Sequence, residues 1–458
     1  MYLIRHIRHA QRQAPFCGFV RMMAFAIFSC VLIVFPAHPQ SAPPQNMPGE
    51  KFLGEGWGLR KAMADRGIGF DANYVVELMA NVDGGNRRGA AVDGLLQVGL
   101  VLDFAKAGLW EGGRLRASSL WVHGRSLSQR YVGDLFAASS IDAPDGVRLF
   151  ELWFEQAFAE GQLTLRAGQM AVDEEFPQSQ HGFPFVNSTF GWPALIALNA
   201  PTPAYPFAVP GVRVSWDAAA QVRWRTGVYA GDPLAFHPDG RLCNRYGTTW
   251  SLNHGAFFIN EWTIHNEPAA AQGDPWWMTA LGIILHTGHF THQRLDENGL
   301  SLADPATTGT PMKKDINYGI YWVGERQLYR ESKDSSQGLA MFARAGYMPG
   351  DRSLIEYYLE GGLTYTGLIP GRDADQIGLG VAFGQLSKSV RHLAKDQQQF
   401  SGNSAPLPDY ETAIEVGYRA QLKTGWFLQP TLQLILHPGG STQIPNAFIL
   451  GLRTELNF

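Results

Sequence analysis

Arginines, carboxylates and one tryptophan recur at alternate positions of extended stretches in this sequence. They are Glu77, Arg116, Glu151, Trp153, Glu155, Arg166, Arg213, Arg225, Arg344, Glu356, Glu360, Glu415, Arg419 and Arg453. Side chains at every second position share one face of a strand, so these groups would line a common wall. Guanidinium and carboxylate groups make charge-assisted, sometimes bidentate hydrogen bonds, which suits them to vicinal hydroxyls. An indole adds a flat apolar face for C–H groups. The same set could instead neutralise itself as an electrostatic ladder. In either case, so many charges on one face point to a hydrated interior, because a closed core excludes unpaired charge.

Residues 171–210 form a second cluster. They begin with Asp173, Glu174 and Glu175 and continue through Phe176, Phe183, Phe185, Phe190, Trp192, Tyr205 and Phe207, with interspersed prolines. A connection this apolar would not stay loose in water. It is expected to fold inward, its acidic start facing the wall arginines, with Asp173, Glu174, Glu175, Phe176, Phe190 and Trp192 forming a constriction. Packing on an outer rim or on a neighbouring subunit is the alternative.

Other chemistries lack their parts. His286, His289 and His292 have the three-residue spacing of one helix face, but their segment reads as a strand running into a loop, so no metal is expected. The acidic run at 173–175 has no EF-hand spacing around it. There is no G-x-S-x-G, and no serine or acidic nucleophile stands in an evident pattern with histidine. The reading is therefore no catalytic residues, no cofactor and no enzyme. A formal net charge of −4, without a basic run, gives no footprint for nucleic acid. Cys17 and Cys30 fall in an N-terminal leader, which leaves Cys243 alone and makes an intrachain disulfide impossible in the exported chain.

The elements that must carry the charged wall are strands. In residues 70–81, Phe70, Ala72, Tyr74, Val76, Leu78 and Ala80 oppose Asp71, Asn73, Val75, Glu77, Met79 and Asn81. The last segment repeats this alternation, with Phe448, Leu450, Leu452, Leu456 and Phe458 on one face. Similar patterns place Phe150, Leu152, Phe154 and Phe158 opposite Glu151, Trp153 and Glu155, and Ile355, Tyr357 and Leu359 opposite Glu356, Tyr358 and Glu360. Counting from Phe70 gives about sixteen strands, the even number expected of a single-chain barrel. Connections alternate in length: 124–147, 171–210, 231–254 and 288–315 are long, whereas 160–161, 217–220 and 423–425 are short. Long loops on one rim and short turns on the other is the outer-membrane arrangement. Residues 324–337 are long for a short-turn rim, and 348–352 are short for the other. A break in alternation at Ser118-Ser119 predicts a bulge in the strand 113–123.

Residues 1–42 read as an export signal, with Arg5, Arg8, Arg12 and Arg21 ahead of the apolar run 22–37. Residues 43–69 read as a linker and a short helix over 57–66, and residues 70–458 as a transmembrane antiparallel β-barrel of the all-β class. The mean hydropathy of −0.13 is too polar for a bundle of membrane helices. Aromatic content of 12% and 51 glycines suit girdles, turns and crowded walls.

The chain from about residue 54 to its end resembles the carbohydrate-selective outer-membrane porins (OprB-like). The resemblance rests on LFELWFEQAF from Leu149, LRAGQMAVDEEF from Leu165, and NSTFGWPALIALNAPTPAYPFAVPGVR from Asn187. It continues through GLIPGRDAD from Gly367, YETAIEVGYRAQL from Tyr410, LQPTLQLILHPGG from Leu428 and NAFILGLRTELNF from Asn446. It implies a sixteen-stranded monomeric barrel in the outer membrane of a Gram-negative bacterium, passing monosaccharides such as glucose by passive diffusion. Partners would be small sugars, outer-membrane lipid and lipopolysaccharide, and the insertion machinery through the terminal Phe458. A general or anion-selective pore is the competing function, and a barrel enzyme a more distant one.

Overall fold

A computed structural model describes residues 51–458 except 55, 57, 183, 235–242, 267–274, 333–336, 403 and 405. The expected export signal, Trp57 of the expected helix and Phe183 lie outside the described residues. The strands in chain order are β1 (Ile68–Asp83), β2 (Gly89–Asp103), β3 (Gly113–Gly124), β4 (Gly146–Phe158), β5 (Leu163–Met170) and β6 (Val209–Ala219). Next come β7 (Val222–Asp232), β8 (Ser251–His265), β9 (Trp277–His286), β10 (Phe290–Asp296), β11 (Pro311–Lys314) and β12 (Asn317–Arg330). The last six are β13 (Gly338–Tyr347), β14 (Ile355–Thr366), β15 (Gln376–Leu386), β16 (Tyr410–Lys423), β17 (Trp426–Leu436) and β18 (Ala447–Asn457).

Among the described residues, sixteen of these strands close into one antiparallel barrel, while β10 and β11 pair only with each other. Closure occurs where β1 meets β18, and there Glu77 stands directly opposite Arg453 and is ion-paired with it. A cross-strand pair of opposite charge favours one register, and a one-residue slip would exchange the faces of the whole strand.

Alternation separates two environments. On β1, Val75, Glu77, Met79 and Asn81 are buried inside, whereas Leu78 is 52% exposed outside. Leu281, Ile283, Ile320, Leu359, Leu379, Leu432 and Leu450 are similarly exposed on the outer face. In hydrocarbon this is the solvated arrangement, because apolar side chains meet lipid while all strand backbone groups pair within the sheet. Register lines up Trp216, Trp224, Trp262, Leu281 and Trp322 side by side around the outside. Such a belt suits the membrane–water interface, where aromatic rings concentrate.

Short turns lie on one rim, at 220–221 and 424–425. The opposite rim carries longer connections, including L2 (125–145) and L3 (171–208). Two further long loops contain structure of their own. Residues 287–316 hold the β10–β11 hairpin, and residues 387–409 hold a helix, Lys388–Ser401. That helix buries none of its residues, so no apolar stripe announced it. Its local signals are Ser387, whose side chain accepts the Val390 N–H, and Gly402 in the left-handed region after its end. The helix expected at 57–66 is shorter, Leu59–Ala64, and begins after Gly58 at positive φ.

Three further expectations need correction. Residues 324–330 are not a connection but the end of β12. Glu325, 4% exposed, points inward there, and polar lumen-facing residues had masked the strand. The bulge near Ser118 places its additional residue on β4, since Ala117 and Ser119 oppose Leu152 and Leu149. Phe150 is thereby turned inward, leaves the face of Leu152, and packs with Leu120, Ile141 and Ala208. A register shift between Ile355 and Tyr357 likewise buries Ile355. Bulges re-aim side chains without breaking the sheet, which periodicity alone does not show.

Arginine at a lipid-facing position near mid-strand costs about 2–4 kcal/mol. Leu359→Arg should therefore lose that much stability in denaturant titrations of the protein folded in vesicles, whereas Leu359→Ile should stay near the parent.

Candidate functional site

L3 crosses the inside of the barrel and bonds to strands on opposite sides of it. Its first limb meets β4–β7: Glu175 bonds Arg213 at 2.6 Å and Arg166 at 3.2 Å, and the ring of Phe176 lies 5.3 Å from the Arg225 guanidinium. Further on, Glu325 of β12 accepts from the His181 N–H, and His181 meets Thr364 of β14 at 3.2 Å. Gln429 of β17 donates to the Pro184 carbonyl. Glu415 of β16 accepts the N–H groups of Val186 at 2.7 Å and Asn187 at 2.8 Å. Arg344 of β13 holds residues 189–191, and Asn199 donates to the Ile355 carbonyl at 2.7 Å. The loop returns to its start through Val172 N–H to Pro203 O, and Tyr205 N–H to Asp173.

A loop drawn inside must find partners for its backbone groups. L2 uses the same device, with Glu411 of β16 accepting the N–H groups of Leu135 and Phe136. Apolar packing completes the fit. The inward residues of β15 are Gly378, Gly380, Ala382 and Gly384, and a Cβ at Gly380 would come within 3.0 Å of both Phe185 and Phe190. A Cβ at Gly384 would lie 2.6 Å from Phe136 of L2. This smooth track is a seat for aromatic rings.

The wall from β1 to β8 carries a ladder of charge. Arg116 pairs with Asp71 (3.1 Å) and Glu151 (3.2 Å). Arg166 pairs with Glu155 (2.9 Å) and stacks 3.8 Å over the Trp153 ring, and Arg225 pairs with Glu261 (2.9 Å). Arg166 and Arg213 stand directly opposite each other. Like charges there would repel, and Glu155 and Glu175 offset that repulsion by bridging both guanidiniums. Arg116, Arg166 and Arg225 keep 13–18% of their side chains accessible, so they meet water inside the barrel.

The profile of the carbohydrate-selective porin, OprB family, matches residues 87–458. The chain belongs to that family. It is a sugar-selective porin of the Gram-negative outer membrane, a channel by family and fold. Porin B of Pseudomonas aeruginosa is 26% identical over 435 residues, covering 90% of this chain and 92% of that protein. A putative porin, QuiX, of Acinetobacter baylyi is 23% identical over 425 residues, 89% and 92% of the two chains. The high-pH structure of Pseudomonas putida OprB superposes with a TM-score of 0.81 at 22% identity, covering 90% of this chain and 99% of its own. That likeness concerns the fold.

Within this porin most of the predicted wall residues fall into two groups, with Arg419 and the Glu77–Arg453 pair apart from both. Arg116, Glu151, Trp153, Glu155, Arg166, Arg213 and Arg225 gather on the β3–β7 wall beside the start of L3. Arg344, Glu356, Glu360 and Glu415 lie under loops, and all are at most 7% exposed. Arg419 pairs with Glu455 at 3.1 Å and stacks 3.5 Å over Phe427, near the short-turn rim. Arg453 pairs with Glu77 and donates to Ser140 of L2 at 2.7 Å. In L3, Phe176 and Phe190 are buried against the wall and Trp192 packs on the same cluster, so ring faces are spent on seating the loop. Sequence reasoning missed Glu411, Gln433, Tyr358 and the small residues of β15. The alternation G-L-G-V-A-F-G from Gly378 was the available signal for the last of these.

Of the three histidines in 286–292, His286 and His292 serve the backbone, while His289 faces the Asp315 carboxylate at 3.5 Å. His286 accepts the Gly288 N–H at Nδ1 and so donates from Nε2 to the Gly231 carbonyl at 2.7 Å, and His292 Nδ1 accepts two N–H groups. No cluster suited to a metal ion occurs among the described residues.

The acidic start of L3 is electrically uneven. Enclosure alone would raise the Glu175 carboxyl, but Arg166 and Arg213 hold it down at about 2. The surrounding barrel wall and then the neighbouring Asp173 charge raise the Glu174 carboxyl, although its side chain stays accessible. A depressed carboxyl stays anionic until pH falls through its value, whereas a raised one gains its proton at a higher pH. Glu175→Gln should shift reversal potentials in a KCl gradient toward anion selectivity equally at pH 5 and pH 8. Glu174→Gln should shift them less at pH 5 than at pH 8, because a raised carboxyl gains its proton earlier as pH falls.

Proposed function

We propose that this porin passes monosaccharide-sized sugars passively down their gradients, and that L3 sets the narrowest part of the path. The observation that carries the reading is the span of L3, held by Glu175 on one wall and by Glu415 and Arg344 on the other. A loop tied across a lumen leaves a passage beside it rather than a plug through it. On the side left open, Arg116, Arg166 and Arg225 stay partly accessible and offer charge-assisted donors to hydroxyls. Contacts shared with water bind weakly, and weak binding permits release at the far side.

The reading includes a monomer. It also includes lipopolysaccharide and phospholipid around the apolar belt, and recognition of Phe458 by the insertion machinery before the barrel closes. Passage of sugars by size and not by charge separates this function from that of a general anion pore.

Removing residues 178–199 should raise single-channel conductance and erase the difference between mono- and disaccharides in liposome swelling. Parent protein should swell liposomes faster with monosaccharides than with disaccharides. Equal swelling by both in the parent, or unchanged conductance in the deletion, would sink the proposal.

A further inference from the structure

Arg344 differs from the other inward arginines in how its donors are used. A guanidinium carries five N–H groups in a planar fork. Here Nε donates to Glu360, Nη1 to the carbonyls of Pro177 (2.9 Å) and Gly191 (3.0 Å), and Nη2 to those of Thr189 (3.2 Å) and Phe190. All five are therefore consumed, four of them by L3 backbone, and the residue is 2% exposed. Glu360 stands directly opposite on β14, balances the charge, and accepts from Tyr358, whose hydroxyl meets Thr189 at 2.6 Å.

From this geometry we infer that Arg344 is the positioning residue that sets the width of the sugar path. It gathers Pro177 and residues 189–191 at one point, so the intervening stretch of L3 becomes a closed sub-loop of fixed reach into the lumen. Closing a loop costs chain entropy, and one buried fork with four carbonyl acceptors offsets it where a lysine, with three donors and no plane, would not. Glu415 and Glu175 hold L3 elsewhere, but Glu415 grips adjacent residues and Glu175 ties one point of the loop to two wall arginines, so neither closes a sub-loop. Arg344 does not touch the solute on this view. It acts through the loop, and the inference rests on L3 being the narrowest part of the path.

The experiment compares four full-length proteins in planar bilayers and liposomes: parent, Arg344→Lys, Arg344→Met/Glu360→Gln, and the deletion of residues 178–199. The double variant removes both members of the buried pair, because an unpaired Glu360 would itself destabilise the wall. Heat-modifiable gel migration and sheet content establish that each barrel is intact. The expected result is a conductance about twofold or more above parent in the double variant, with the disaccharide-to-monosaccharide swelling ratio rising in step, and an intermediate rise for Arg344→Lys. An intact double variant with parental conductance and ratio overturns the inference while the deletion still widens the pore. If the double variant does not form a barrel, parental conductance and ratio in Arg344→Lys overturn it instead. If the deletion leaves both quantities unchanged, the reading of L3 fails first and takes this inference with it.

Discussion

A peptide N–H or C=O in hydrocarbon has no water to turn to, and leaving one unpaired there is costly enough that only closed hydrogen-bonding patterns span a membrane. In this chain the pattern is a sheet returned on itself, with β1 laid against β18. Everything outside and inside follows from that closure. The outer positions carry leucine, isoleucine and valine because lipid is their solvent, and the inner positions are free to carry charge because water and loops can reach them.

The same requirement reappears within the barrel in a different form. L2 and L3 bring irregular backbone into an enclosed space, where an unmet amide is again expensive. Inward carboxylates and one guanidinium meet these groups: Glu411 and Glu415 take N–H groups, and Arg344 takes carbonyls. The signs follow from the chemistry, since a carboxylate only accepts and a guanidinium only donates. Charges on the wall thus have two occupations. Some anchor loops and are sealed from water; others, Arg116, Arg166 and Arg225 on the β3–β7 side, stay partly accessible and pair with wall carboxylates.

The opposed Arg166 and Arg213 link the two occupations. Two cations facing each other across adjacent strands would push the sheet apart, and the acidic start of L3 supplies the missing anion. The loop is held where the wall has an excess of positive charge, and the wall tolerates that excess because the loop is there. Glu155 of the wall shares that task, so loop and wall stabilise each other.

How much of this was legible depends on range. Alternation within single segments identified the strands, their two faces and the closed sheet, because strand geometry has a period of two residues and lipid imposes a strict division between faces. It also picked out the inward charges by position, and the composition of residues 171–210 announced a loop too apolar for water. It failed where one extra residue changes the facing of a side chain, as at Phe150 and Ile355, and where a helix has no apolar stripe, as at 388–401. Which charges anchor and which stay wet was beyond it. Arg344 and Arg166 look alike along the chain, and their difference arises only because L3, from far away in sequence, arrives over one of them and passes beside the other. The sequence by itself determined the sheet, its faces and the solvent on each side; the tertiary structure alone decided where the loops come to rest, since that depends on pairing groups that no local pattern brings together.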